Sequence, residues 1–102
     1  MTYAVLWREN EGPEFAGGLL LAGAGIELSG TAVGRLAAQR EVSYGDVRDL
    51  YLERQRRASD RHTALVLVTT EGDRLEIESL QGGGALHELA DHVAAARGKA
   101  AA

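Results

Sequence analysis

Apolar and polar residues alternate with a period of two through most of this chain, and change to a helical period only near its C-terminal end. Tyr3, Val5 and Trp7 alternate with Ala4 and Leu6 and predict a first strand, closed by the charged loop from Arg8 to Glu14. Phe15 to Leu21 predicts a second strand, in which Gly17-Gly18 permits a bulge or sharp bend. Ala22 to Gly25 turns the chain into a third strand, Ile26 to Ser29. Gly30 to Ala38 has a trace of helical spacing broken by two glycines and reads as a loop. A short fourth strand follows from Arg40 to Ser43, then a corner at Tyr44-Gly45-Asp46 and a fifth strand from Val47 to Arg54. Within the fifth the apolar spacing breaks between Val47, Leu50 and Leu52, as a strand crossing from one sheet to another would show. Arg54 to His62 reads as a polar connection.

The clearest strand pair comes next. Ala64 to Val68 is apolar on both faces and predicts a central strand, while Leu75 and Ile77 alternate with Arg74, Glu76 and Glu78. Glu71-Gly72 supplies the turn, with Gly72 free to take positive φ. After Gly82-Gly83-Gly84, Leu86, Leu89, Ala90 and Val93 fall on one face of a helix over 85–96. Arg97 and Lys99 suit its negative pole and Gly98 its stop, which leaves a single domain over 1–98 and a frayed tail over 99–102. A helix this short is marginal alone and must be held by burial.

Composition narrows the picture further. The chain has 102 residues, enough for one core. It contains no Cys, which excludes disulfides and thiolate chemistry and suits a reducing, cytoplasmic setting. The start of the sequence has no basic leader and no long apolar run, so no signal peptide is expected, and Gly17 to Gly25 is too short and too glycine-rich to span a membrane. A formal charge of −4 repels nucleic acid and anionic lipid on average, and one Trp, one Phe and three Tyr give few platforms for stacking bases.

The order of elements resembles the pleckstrin-homology-like (PH-like) superfold, within it the small bacterial PH-like and GRAM-like domains. The likeness is carried by Gly17-Gly18-Leu19-Leu20-Leu21 with Ile26-Glu27-Leu28, and by the corner from Val42 to Val47 with Leu50. Leu65-Val66-Leu67 with Gly72, Leu75-Glu76-Ile77 and the closing helix complete it. The resemblance implies a mainly β, α+β fold: about seven antiparallel strands in two nearly orthogonal sheets, a PH-like barrel capped by one C-terminal helix. It also implies an open end lined by the loops after strands one, three and six, where phosphoinositide-binding members carry several Lys and Arg. Here Arg8, Arg35, Arg40 and Arg74 face Glu9, Glu11, Glu14, Glu71 and Asp73, a balance that argues against phosphoinositide binding.

Several stretches have candidate chemistry. Arg54, Arg56, Arg57 and Arg61, with His62, could grip phosphate or an acidic protein partner, or could line a solvated connection; nucleic acid would want aromatics that this stretch lacks. Arg35 and Arg40 form a smaller basic pair, and either this pair or the arginine-rich stretch could touch an anionic membrane weakly. Gly82-Gly83-Gly84 before a helix resembles a phosphate cradle in outline, but no Lys, Ser or Thr follows it. His87 and Asp91 could supply two metal ligands, with no third evident, so neither a metal nor a cofactor is expected. Ser29, Ser43, Ser59 and Ser79 lie outside any nucleophile motif and the acids form no enforced pair, so no enzyme is expected. Trp7 and Phe15 read as core, or as partner anchors if exposed. The leading expectation is a non-catalytic module for protein–protein contact or self-association through a strand edge. The alternative is a carrier holding a small apolar ligand or lipid between the sheets.

Overall fold

The structure is a computed structural model that describes residues 2–32, 36–57 and 60–101; the side chains at 55–57, 60–62, 83, 100 and 101 lie outside that description. In chain order it contains β1 (Thr2–Glu9), β2 (Phe15–Leu21), β3 (Gly25–Thr31), β4 (Ala37–Ser43), a 3-10 turn (Tyr44–Asp46), β5 (Val47–Arg57), β6 (Asp60–Thr69), β7 (Arg74–Ser79) and α1 (Gly83–Ala101). The seven strands form one antiparallel sheet in the order β4-β3-β2-β1-β7-β6-β5. The two sheets expected from the resemblance are therefore joined. β1 is the shared strand, pairing with β2 over Thr2 to Trp7 and with β7 over Val5 to Glu9.

This order forces the sheet to curl. β4 and β5 are its two edges, yet only Tyr44–Asp46 separates them in the chain. The edges of a flat seven-stranded sheet would lie roughly 29 Å apart, whereas three residues span at most about 11 Å. The mainly β half-barrel that results is filled from one face. Tyr3, Val5, Trp7, Phe15, Leu19, Ile26, Leu28, Val42, Leu65, Leu67, Leu75 and Ile77 make up that interior. Leu86, Leu89 and Val93 of α1 close it, packed with the 3-10 turn, β5, β6 and β7. The helical face read from the sequence is the buried one.

Several elements differ from the sequence reading. The expected loop from Gly30 to Ala38 is shorter, because β3 runs through Gly30 to Thr31 and β4 begins at Ala37, ahead of Arg40, each held by pairing between the two strands. α1 continues through Gly98 to Ala101, so the boundary at 98 falls inside a helix; the alanines on either side favour helix enough to outweigh one exposed glycine. The spacing break in β5 is a bulge, a register shift between Val47 and Asp49, and the strand does not change sheets there. The stretch from Arg54 is no loose connection: β5 runs to Arg57 and β6 begins at Asp60, so most of it is paired strand. Gly17-Gly18 carries no bulge either, since the register runs unbroken on both sides. The predicted turn between β6 and β7 is present, with Gly72 at φ 92°, its N–H bonded to the Thr69 carbonyl at 2.9 Å, and the Thr69 hydroxyl accepting the Asp73 N–H at 3.1 Å.

Two phenols pin the lid and the corner. Tyr3 donates to Glu88 on α1 at 3.3 Å, and Tyr44 donates to the Ala22 carbonyl at 2.7 Å. Burial, then the Glu88 charge and the bond to it, push the Tyr3 phenol above its ordinary 10.0; burial does the same at Tyr44. Above that pH the unfolded chain releases protons that the folded chain retains. Their contribution is therefore complete below about pH 10 and is lost as the pH rises further. Urea midpoints should hold level to about pH 9.5 and fall by about pH 11. A Tyr3→Phe, Tyr44→Phe double variant should show a shallower fall over that interval.

Candidate functional site

At the end of the half-barrel where the β1–β2 and β6–β7 turns meet, each described arginine already has a carboxylate. Arg8 bonds Glu76 at 3.0 Å, and Arg74 bonds Glu53 and approaches Glu76 at 3.4 Å. Arg40 reaches from the β4 edge to Glu9 at 3.0 Å and Asp73 at 3.5 Å. Asn10 fastens the turn by accepting the Arg74 N–H at 3.0 Å. Of the acids counted in the sequence, Glu9 and Asp73 are thus bridged, while Glu53 and Glu76, outside that count, hold the other arginines, and little positive charge is left to present to a phosphate. Arg35, the remaining member of that set, lies outside the described residues.

The interior is equally occupied. Trp7 is 2% exposed, with its ring centroid 4.8 Å from Phe15 and its indole N–H donating to the Ser29 carbonyl at 3.0 Å. Both rings are core, so the anchor role offered for Trp7 has no surface to act on. The described clefts open on the outside. One of about 600 Å³ lies between the β2–β3 turn and the end of α1, lined by Leu21, Ala22, Ala24, Tyr44, Ala95 and Lys99 among others.

On the helix, Glu88 and His92 approach to 3.7 Å, one turn apart. Among the described residues no three His, Asp or Glu come together as a metal site, and no helix is long and apolar enough to cross a membrane.

What the structure leaves open is backbone at the two sheet edges. β4 is partly blunted, because Arg40 folds back and donates to its Glu41 carbonyl at 2.9 Å. β5 is blunted only at its bulge, where Arg97 of α1 donates to the Arg48 carbonyl. Beyond that, from Asp49 to Arg57, no further strand pairs with β5 among the described residues. The strand is 11 residues long and contains neither Pro nor Lys, two of the usual guards against edge pairing; its charged residues flank the apolar run Leu50-Tyr51-Leu52, which carries no guard of its own. It also shows apolar side chains on both faces: Tyr51 is 44% exposed on the outer face, and Leu52 is 37% exposed on the inner face, level with Leu65. Val66, between Tyr51 and Glu76 in register, is fully buried even on the outer face.

The far half of this hairpin stands clear of the sheet. β7 pairs with β6 only from Leu65 to Val68, so the rungs from Arg54↔Thr63 to Arg57↔Asp60 form a two-stranded ribbon projecting roughly 13 Å. The molecule measures 41 × 26 × 26 Å. Arg54, Arg56, Arg57 and Arg61 thus fall on one ribbon, at an end of the fold where the sequence reading placed a plain connection. Arg54 is exposed; the side chains of the other three lie outside the described residues. Leu50, Tyr51 and Leu52 went unrecognised as a site. The available signal was three consecutive apolar residues in a strand flanked by charge, a pattern that a half-buried strand does not produce.

No family model, curated protein or solved structure matches this chain.

Proposed function

We propose that this protein is a non-catalytic, PH-like interaction module that takes up a partner polypeptide along the open β5 edge by strand addition. The PH-like reading rests on the strand order, the curled sheet and the terminal helix over its interior. The observation that carries the interaction reading is the β5 edge itself, with Tyr51 and Leu52 exposed beside unpaired backbone. An added strand gains main-chain hydrogen bonds from that edge and apolar contact from both of its faces. Phosphoinositide binding is not part of the proposal, because the arginines at the family's usual mouth are bridged to carboxylates. A carrier role has less support: the interior is filled by buried side chains, and the cleft between the β2–β3 turn and α1 is an open one.

The test uses Tyr51→Lys and Leu52→Lys, which place the edge-guarding residue on either face. Each should change stability by no more than about 1 kcal/mol, yet abolish association seen by native mass or light scattering over a dilution series, or retention of a partner from lysate. A wild-type chain that is a strict monomer and retains nothing would refute the proposal.

A further inference from the structure

We infer that the occupant of the β5 edge is an extended acidic segment of another protein, apolar where it lies beside Leu50 to Leu52 and carboxylate-rich where it lies beside Arg54 to Arg57. The inference rests on the strand-addition reading above and goes further by naming the partner's chemistry.

Charge is the first ground. Residues 54–62 hold four arginines and one aspartate, while the remainder of the chain holds seven basic against fourteen acidic residues. The ribbon is therefore a basic projection from an acidic body, which draws an acidic partner to the ribbon and away from the rest of the surface. The register adds to this, since Arg56 lies opposite Arg61.

The second ground weighs against a second copy of this chain in the two registers that align the apolar residues. Two β5 strands paired about a twofold axis must set outer-face residues against outer-face residues. Alignment of Tyr51 on Tyr51 places Leu50 on Leu52, but sets Asp49 against Glu53 twice. Alignment of Leu52 on Leu52 sets Tyr51 against Glu53 and Leu50 against Arg54, so the apolar groups face charge. Both registers conflict with themselves. A partner with separate apolar and acidic halves meets neither conflict. Nucleic acid is the other polyanion to consider, but the acidic body beside the ribbon repels a long phosphate backbone, and Tyr51 is the only aromatic residue on β5.

The experiment titrates the intact chain with synthetic peptides of about ten residues, each with a valine–threonine half and a glutamate–threonine half, in both orders. Matched peptides carry glutamine or lysine in place of glutamate, and a duplex DNA serves as the rival polyanion. Amide exchange of Asp49 to Arg54 is followed alongside. The glutamate peptide should bind about tenfold more tightly than the glutamine peptide, lose that advantage between roughly 0.05 M and 0.5 M ionic strength, and slow exchange along β5. Arg54→Glu with Arg56→Glu should reverse the preference toward the lysine peptide, with a thermal midpoint close to that of the unchanged chain. Equal binding of the glutamate and glutamine peptides with β5 protected would overturn the acidic inference and leave strand addition standing. No peptide protecting β5 would overturn both, and tighter binding of the DNA, or dimerisation through β5, would overturn this inference.

Discussion

Leu89→Ala is expected to lower the unfolding free energy by about 2–5 kcal/mol and the thermal midpoint by roughly 10–20 °C. Leu89 is 1% exposed at the centre of the buried stripe of α1, between Leu86 and Val93. These three are the large side chains with which the helix closes the half-barrel, so truncating the middle one leaves a cavity that the sheet beneath cannot collapse to fill. The loss should be read by urea denaturation, with an unchanged slope and a lower midpoint. A midpoint equal to that of the unaltered chain would mean that α1 rests on the sheet without holding it.

Gly17→Ala should be at least as damaging, at about 3 kcal/mol or more, even though it adds one carbon. Gly17 is exposed, and lies in register with Val5 on β1 and Gly30 on β3. A Cβ there would stand 2.1 Å from the Ser29 carbonyl oxygen and 2.5 Å from the Gly30 Cα, both backbone atoms with no freedom to retreat. The same Ser29 carbonyl accepts the Trp7 indole N–H, so the missing side chain at 17 makes room for the bond that seats the largest core residue. Gly18 is the control. Its nearest neighbour would be the Tyr3 carbonyl oxygen at 3.7 Å, so Gly18→Ala should shift stability by less than about 1 kcal/mol. Equal effects at the two positions would disprove the account of why β2 carries a glycine pair.

Much of this architecture can be read along the chain because burial leaves a periodic trace. Leu75 and Ile77 alternate with charge and are the inward residues of β7; Ala64 to Val68 is apolar throughout and belongs to a strand covered on both sides. Leu86, Leu89 and Val93 announced the covering face of α1 in the same way. Where burial ends, the trace ends too. Residues 54–57 and 60–63 pair as strands with polar side chains, so their alternation has no apolar partner to reveal it, and they read as a connection. The bridges from Arg40 to Glu9 and Asp73 depend on a fold-over of the sheet that no local spacing encodes. Leu50, Tyr51 and Leu52 were visible as residues, but their standing as an edge follows from which strand lies last in the sheet, a property of the whole topology.

β1 has one more consequence, for synthesis. It leaves the ribosome before both of its neighbours and can hairpin with β2 at once, but its other neighbour, β7, begins only at Arg74. During translation the nascent polypeptide must therefore present one flank of Thr2–Glu9 unshielded until the codons for Arg74 to Ser79 have been read. A slow-translating stretch placed between the codons for β2 and β7 would lengthen that interval, and should raise the share of newly made protein that depends on chaperones.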